Sequence, residues 1–147
     1  RTKTRGHTMN QSLEKHAEAI SKRAGWLDTL GLFGLVNCGL VMLGINLRFI
    51  FTLAVPEVLT AVGKFSAGWS VTGVGILTAL LAFGGAKFLA GFARRGYGWA
   101  FRVAGALVFL DLVLWALIGN WIEVFAHAFL LYQFYAGARL CGKRDPV

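Results

Sequence analysis

Asp111 and His127 are the residues of this chain whose types and placement could do chemistry. In the stretch VFLDLVLWALIGNWIEVFAHAFLLYQF they interrupt apolar runs on either side of a short polar break at Gly119 and Asn120. Each stands eight residues from Gly119, so in an antiparallel helical hairpin both lie roughly 12 Å from the turn. An ionised aspartate in hydrocarbon costs about 2.5–3.5 kcal/mol on insertion scales, so it should face other helices and find a partner there. His127 is the nearest partner in sequence, and Glu123 precedes it by one turn on the same face. Earlier in the chain Arg48, Gly44, Val41, Asn37 and Gly34 fall on one helical stripe. That stripe is a matching small and polar surface, from which Arg48 could pair with Glu123, Asp111 or Glu57.

Asp111, His127, Glu123, Arg48 and Asn37 therefore form an expected intramembrane polar cluster with two readings. One is a proton-responsive or ligand-binding pocket opening outward. The other is a set of hydrogen bonds and ion pairs holding helices together, each worth about 0.6–2 kcal/mol in a bilayer. The second is preferred, because the moderate depth of these residues lets interfacial water assist them. Haem is disfavoured, since one membrane histidine supplies one axial ligand, and no cofactor is predicted. Cys38 lies in an apolar run and Cys141 in a basic tail, neither spaced as a metal pair nor placed at a common depth for a disulfide. No phosphate loop, metal constellation or nucleophile with its base is visible, and the chain is read as non-catalytic.

The elements that must position this cluster are apolar helices. The chain of 147 residues is 56% hydrophobic and only 15% charged, with a mean hydropathy of +0.62, the composition of an integral membrane protein. The expected fold is all-α: a transmembrane four-helix bundle over residues 26–141, with spans of about 27–47, 67–92, 99–118 and 121–140. Each span approaches the ~20 residues that a helix needs to cross about 30 Å of hydrocarbon. Residues 1–9 read as a disordered basic start and 142–147 as a tail. Over 10–25, Leu13, Ala17, Ile20 and Ala24 recur at helical spacing, predicting a separate amphipathic helix at the membrane surface. RFIFTLAVPEVLTAVGKFS, interrupted by Pro56, predicts a reentrant or interfacial helix.

The net charge of +8 comes from lysines and arginines between apolar segments rather than interleaved with aromatics on a polar face. That distribution excludes nucleic acid as the expected partner and follows the positive-inside rule instead. With both termini cytoplasmic, only Arg48 and Lys64 fall outside, which predicts a multi-pass protein of the bacterial inner membrane. Arg94, Arg95, Tyr97, Trp99 and Arg102 surround the RRGYG turn, where an ordinary positive-inside loop could also hold anionic lipid or a partner. Thr78, Ala82, Ala86 and Ala90 step by four along the second span, a small-residue face for close helix packing within the chain or between copies. The partners expected are the bilayer and other membrane subunits or a second copy. Trp26, Trp69, Trp99 and Trp121 fall near span ends as an aromatic belt, and Trp115, one turn from Asp111, covers the cluster.

At INLRFIF, ARRGYGWAFRVAGALVFLDLVLWAL and HAFLLYQFYAGARL the chain resembles a group of small bacterial four-helix inner-membrane proteins. In these an asparagine and arginine end the first helix, a basic aromatic turn precedes the third, an aspartate sits in the third and a histidine marks the fourth. The resemblance covers most of the chain after Gly25 and implies topology, not activity. Small multidrug exporters share the size but rest on a glutamate within the first helix, where this chain has only Asp28 at one edge. Glutathione-using membrane enzymes of the eicosanoid type carry a run of arginine, asparagine and glutamate not found here. A quinone-linked thiol oxidoreductase needs paired cysteines.

Overall fold

A computed structural model describes residues 3–45, 49–62 and 69–142, and among them all regular structure is helical. Five helices follow in order: α1 Lys3–Leu43, α2 Ala54–Val62, α3 Trp69–Arg94, α4 Gly98–Ile118 and α5 Trp121–Cys141. The segments Gln11–Leu43, Gly73–Arg94 and Gly98–Ile118 are long and apolar enough to cross a membrane, and the helices carrying them pack against one another. α5 is as long as α4, but Glu123, His127 and Gln133 lower its average hydropathy, and it is not among these three.

The separate surface helix expected over 10–25 is instead the first half of α1. No proline or cap interrupts the helix at Gly25, and Ile20, Ala24, Leu27 and Leu30 form one buried stripe through the expected break. The expected disordered start is helical from Lys3. At 1.5 Å per residue, 41 residues extend about 60 Å, twice the hydrocarbon thickness, so much of α1 projects beyond any span it makes. Its early part runs along the last turns of α5, where His16 Nε2 meets the Leu140 carbonyl at 3.1 Å and Arg23 donates to Gln133 at 2.6 Å.

Glycine sets the ends of three helices. Gly44, Gly96 and Gly119 all adopt positive φ, and in each case their N–H and the next one bond back to carbonyls of the last turn, as Gly119 does to Ala116 and Asn120 to Trp115. This left-handed closure favours a residue without Cβ, and it stops α1 at Leu43 rather than at the expected Leu47. Asn120 then starts α5 by accepting from the Glu123 N–H at 3.4 Å. Small residues set the close helix approaches. A Cβ on Gly31 would lie 2.8 Å from that of Ala86, and one on Gly137 would lie 2.7 Å from the Phe101 ring.

The segment after α1 folds back into the protein. Phe49 stacks on Phe33 at 5.1 Å, and Phe51 reaches Trp26 at 5.6 Å and Phe129 at 6.2 Å. Trp26 lies 17 residues before the end of α1, so the chain returns about 25 Å along that helix before α2 begins. α2 then runs along α3, with Thr60 so close to Gly75 that a Cβ there would come within 2.7 Å of the Thr60 nitrogen.

Candidate functional site

A backbone folded back into the protein has buried N–H and C=O groups that must be satisfied by protein partners. Two of the expected cluster residues do this. Asn37, buried in α1, uses both ends of its amide on one residue: Nδ2 donates to the Phe49 carbonyl at 2.9 Å, and Oδ1 accepts from the Phe49 N–H at 2.8 Å. Asp111, in the middle of α4, accepts through Oδ1 from the N–H of Ala54, the first residue of α2, at 2.8 Å. A carboxylate at that point also faces the positive end of the α2 dipole. Pro56 occupies the first turn of α2, where its missing N–H leaves no bond unmade.

The other oxygen of Asp111 faces α5. Oδ2 lies 2.9 Å from His127 Nε2, within ion-pair range but off the line of a straight hydrogen bond. His127 Nδ1 lies 2.8 Å from the main-chain oxygen of Glu123, one turn back. A carbonyl only accepts, so Nδ1 carries a hydrogen, and one further proton is held between Nε2 and Oδ2 if the pair is ionic. The Glu123 carboxylate stands 3.6 Å from the same Nδ1. Relative exposure is 0% for His127 and 4% for Asp111 and Glu123, and Trp115 is buried one turn beyond Asp111. The result is a chain of contacts, Ala54 N–H to Asp111 to His127 to the Glu123 backbone, that ties α2, α4 and α5 together.

The expected cluster therefore divides. Asp111, His127 and Glu123 come together, whereas Asn37 is engaged with Phe49. Arg48 and the Glu57 side chain, its suggested partner, lie outside the described residues, as does the side chain of Trp69. What the residue types did not reveal is that a main-chain N–H, that of Ala54, completes the site. Pro56, which marks a helix start, was the available signal.

A second set of charges lies towards the Gly96 end. Asp28 pairs with Lys87 at 3.0 Å and with Arg94, joining α1 to α3. Arg94 and Lys87 are thus both partly engaged within the protein. Arg95 stacks over Phe92 at 5.8 Å, and Phe92 packs with Tyr97 and Trp99 at 5.6 and 5.2 Å. Arg102 is exposed. Along α3, Ala86 and Ala90 are buried against neighbours as a packing face should be, but Thr78 and Ala82 are only half-buried. They line a cleft of about 430 Å³ between α3 and α4, floored by Leu27 and Val108 and reaching Asp111.

This arrangement can hold a proton and brace the start of α2. It contains no nucleophile paired with a base, and no group of three or more potential metal ligands occurs among the described residues. The chain matches no protein-family model, no curated protein and no solved structure.

Proposed function

We propose that this is a non-catalytic integral membrane protein with an accessory or scaffold role, packing with itself or a larger membrane complex and with anionic lipid. In this reading α5 is a fourth span, both termini are cytoplasmic and the membrane is the bacterial inner one. The observation that carries it is how the polar and apolar groups are distributed. Asp111 and His127 are buried and occupied with protein partners, while large apolar side chains such as Leu81, Leu117 and Phe125 are more than two-thirds exposed. α5 fits this pattern despite its average hydropathy. Glu123 and His127 point inward, and Ile122, Phe125 and Tyr132 point outward, the reverse of a water-soluble amphipathic helix.

The test is native mass spectrometry of the protein extracted gently from its own membranes, after showing that alkaline washing does not release it. Masses containing other polypeptides or several copies support the scaffold reading. A lone chain, or release by alkali, refutes it.

A carrier or ligand-binding protein using Asp111 and His127 is the second reading, favoured by one observation: Asp111 stands in the wall of the 430 Å³ cleft. It predicts that Asp111→Asn leaves the fold intact and abolishes a pH-dependent activity. Loss of assembly with no separable activity supports the packing reading instead.

A further inference from the structure

We propose that Asp111 and His127 form a one-proton clasp: it holds residues 49–62 closed while the pair shares a single proton, and loosens when the pair gains a second or loses the first. This goes beyond both functional readings, because it assigns what the pair acts on and needs neither a ligand nor a partner.

The hydrogen count comes from geometry. His127 Nδ1 faces the Glu123 carbonyl at 2.8 Å, so that nitrogen keeps its hydrogen in the neutral and the charged ring alike. The neutral ring therefore turns a bare Nε2 towards Asp111 Oδ2, 2.9 Å away. Two bare acceptors at that distance repel, and one proton between them turns the repulsion into attraction.

The same side chain holds α2. With the shared proton on Nε2, Asp111 is a carboxylate, and its Oδ1 accepts from the Ala54 N–H at 2.8 Å. That bond is charge-assisted and lies at the positive end of the α2 dipole. A second proton makes Asp111 neutral, so the bond loses its charge assistance and α2 loses its anion. Loss of the first proton sets Nε2 and Oδ2 in repulsion, and the carboxylate that turns away from His127 is the one that carries Oδ1. Both changes reach Ala54 through Asp111.

The clasped segment is strained. Phe51 has φ +71°, a region that penalises a bulky side chain. The rings of Trp26 and Phe129 hold Phe51 in place, and Asn37 holds Phe49. Asp111 holds the other end of the stretch, so when its grip weakens the strain at Phe51 favours opening. Leu53, Val55 and Pro56 belong to the wall of the cleft between α3 and α4, and their release widens it.

Among the described residues, the charged side chain that faces the pair is Glu123, 3.6 Å from Nδ1. Asp28 of α1 and Lys87 and Arg94 of α3 pair with one another towards the Gly96 end. Arg23 of α1 is bound to Gln133, about 9 Å further along α5. Arg102 stands about 13 Å from Asp111 along α4, and Arg48 and the Glu57 side chain lie outside the described residues. Glu123 is therefore the competing titration that the test must separate.

Hydrogen–deuterium exchange of the full chain in micelles, from about pH 4.5 to about pH 10, brackets the ordinary titration of aspartate and histidine. Exchange over 49–62 is divided at each pH by the rate of an unstructured chain, which removes the intrinsic dependence on hydroxide. Opening should pass through a minimum and rise about tenfold on each side, while α3 and α4 stay protected. His127→Gln should flatten the profile, since its amide donates or accepts by turning over and suits both states of Asp111. Glu123→Gln should keep both limbs. Asp111→Asn should lose the alkaline limb, because its amide donates to a bare Nε2; it decides the matter should His127→Gln lose helicity by circular dichroism.

A profile that is flat, or that rises on one side only, in the unaltered chain overturns the proposal. So do limbs that persist in His127→Gln, an alkaline limb that persists in Asp111→Asn, or limbs shared equally by α3 and α4, which report global unfolding. Loss of a limb in Glu123→Gln moves the titration to Glu123 and overturns its assignment to the pair.

Discussion

Replacing Asp111 by alanine should release residues 49–62 without unfolding the long helices. The change removes the acceptor for the Ala54 N–H, the counter-charge of His127 and the anion at the start of α2. An orphaned buried N–H costs about 1–3 kcal/mol, and removing one member of a buried charge pair about 3–5 kcal/mol. These losses overlap, and hydrogen bonds inside bilayers run nearer 0.6–2 kcal/mol, so about 3 kcal/mol is expected in total. Asparagine behaves differently. Its carbonyl oxygen still accepts from Ala54, and its amide N–H can serve the Nε2 of a neutral imidazole, so Asp111→Asn should cost about 1 kcal/mol. Hydrogen–deuterium exchange of the micelle-solubilised protein, read over residues 49–62, measures this directly. Opening there should become about a hundredfold more frequent in Asp111→Ala and about fivefold more frequent in Asp111→Asn. It should stay unchanged in Phe109→Ala, whose side chain is exposed on the same helix. Exchange over 49–62 unaltered in Asp111→Ala would refute the bracing role. Equal damage from asparagine and alanine would show that the charge, and not the acceptor, matters.

Asn37→Leu removes both bonds to the Phe49 main chain and should destabilise the same segment by roughly 2–4 kcal/mol, seen as lost protection at 49–53 while α5 stays protected. Gly75→Val forces a Cβ to within 2.7 Å of the Thr60 nitrogen and should cost about 1–3 kcal/mol in a thermal melt; Gly73→Val, with nothing within 4 Å, should be near neutral. Asp28→Asn breaks the pairs to Lys87 and Arg94, but both cations are substantially exposed, so the loss should not exceed about 1 kcal/mol and should shrink as salt is added. A larger, salt-insensitive loss would show that Asp28 acts as a buried charge.

Hydropathy and helical spacing, both local properties, are enough to read the apolar helices, and glycine marks their stops because left-handed closure penalises a Cβ. The equal distance of Asp111 and His127 from Gly119 could be counted from the chain, since residues equidistant from a tight hairpin turn share a depth. Whether they faced each other depended on the rotation of α4 against α5, which the packing of Phe101 on Gly137 helps to fix and no local rule supplies. The continuity of α1 is not legible in the spacing, because a surface helix and a span share one periodicity and differ only in what covers them.

The roles of Asn37 and Asp111 belonged to the tertiary structure altogether. Their partners are main-chain groups of Phe49 and Ala54, and since almost every residue has such groups, side-chain identity cannot nominate them. Only the folding-back of residues 49–53 against α1 brought those groups to the two side chains. The cleft arose in the same way: small residues on α3 read equally as a packing face or as the wall of a slot, and the separation of α3 from α4 decided between them.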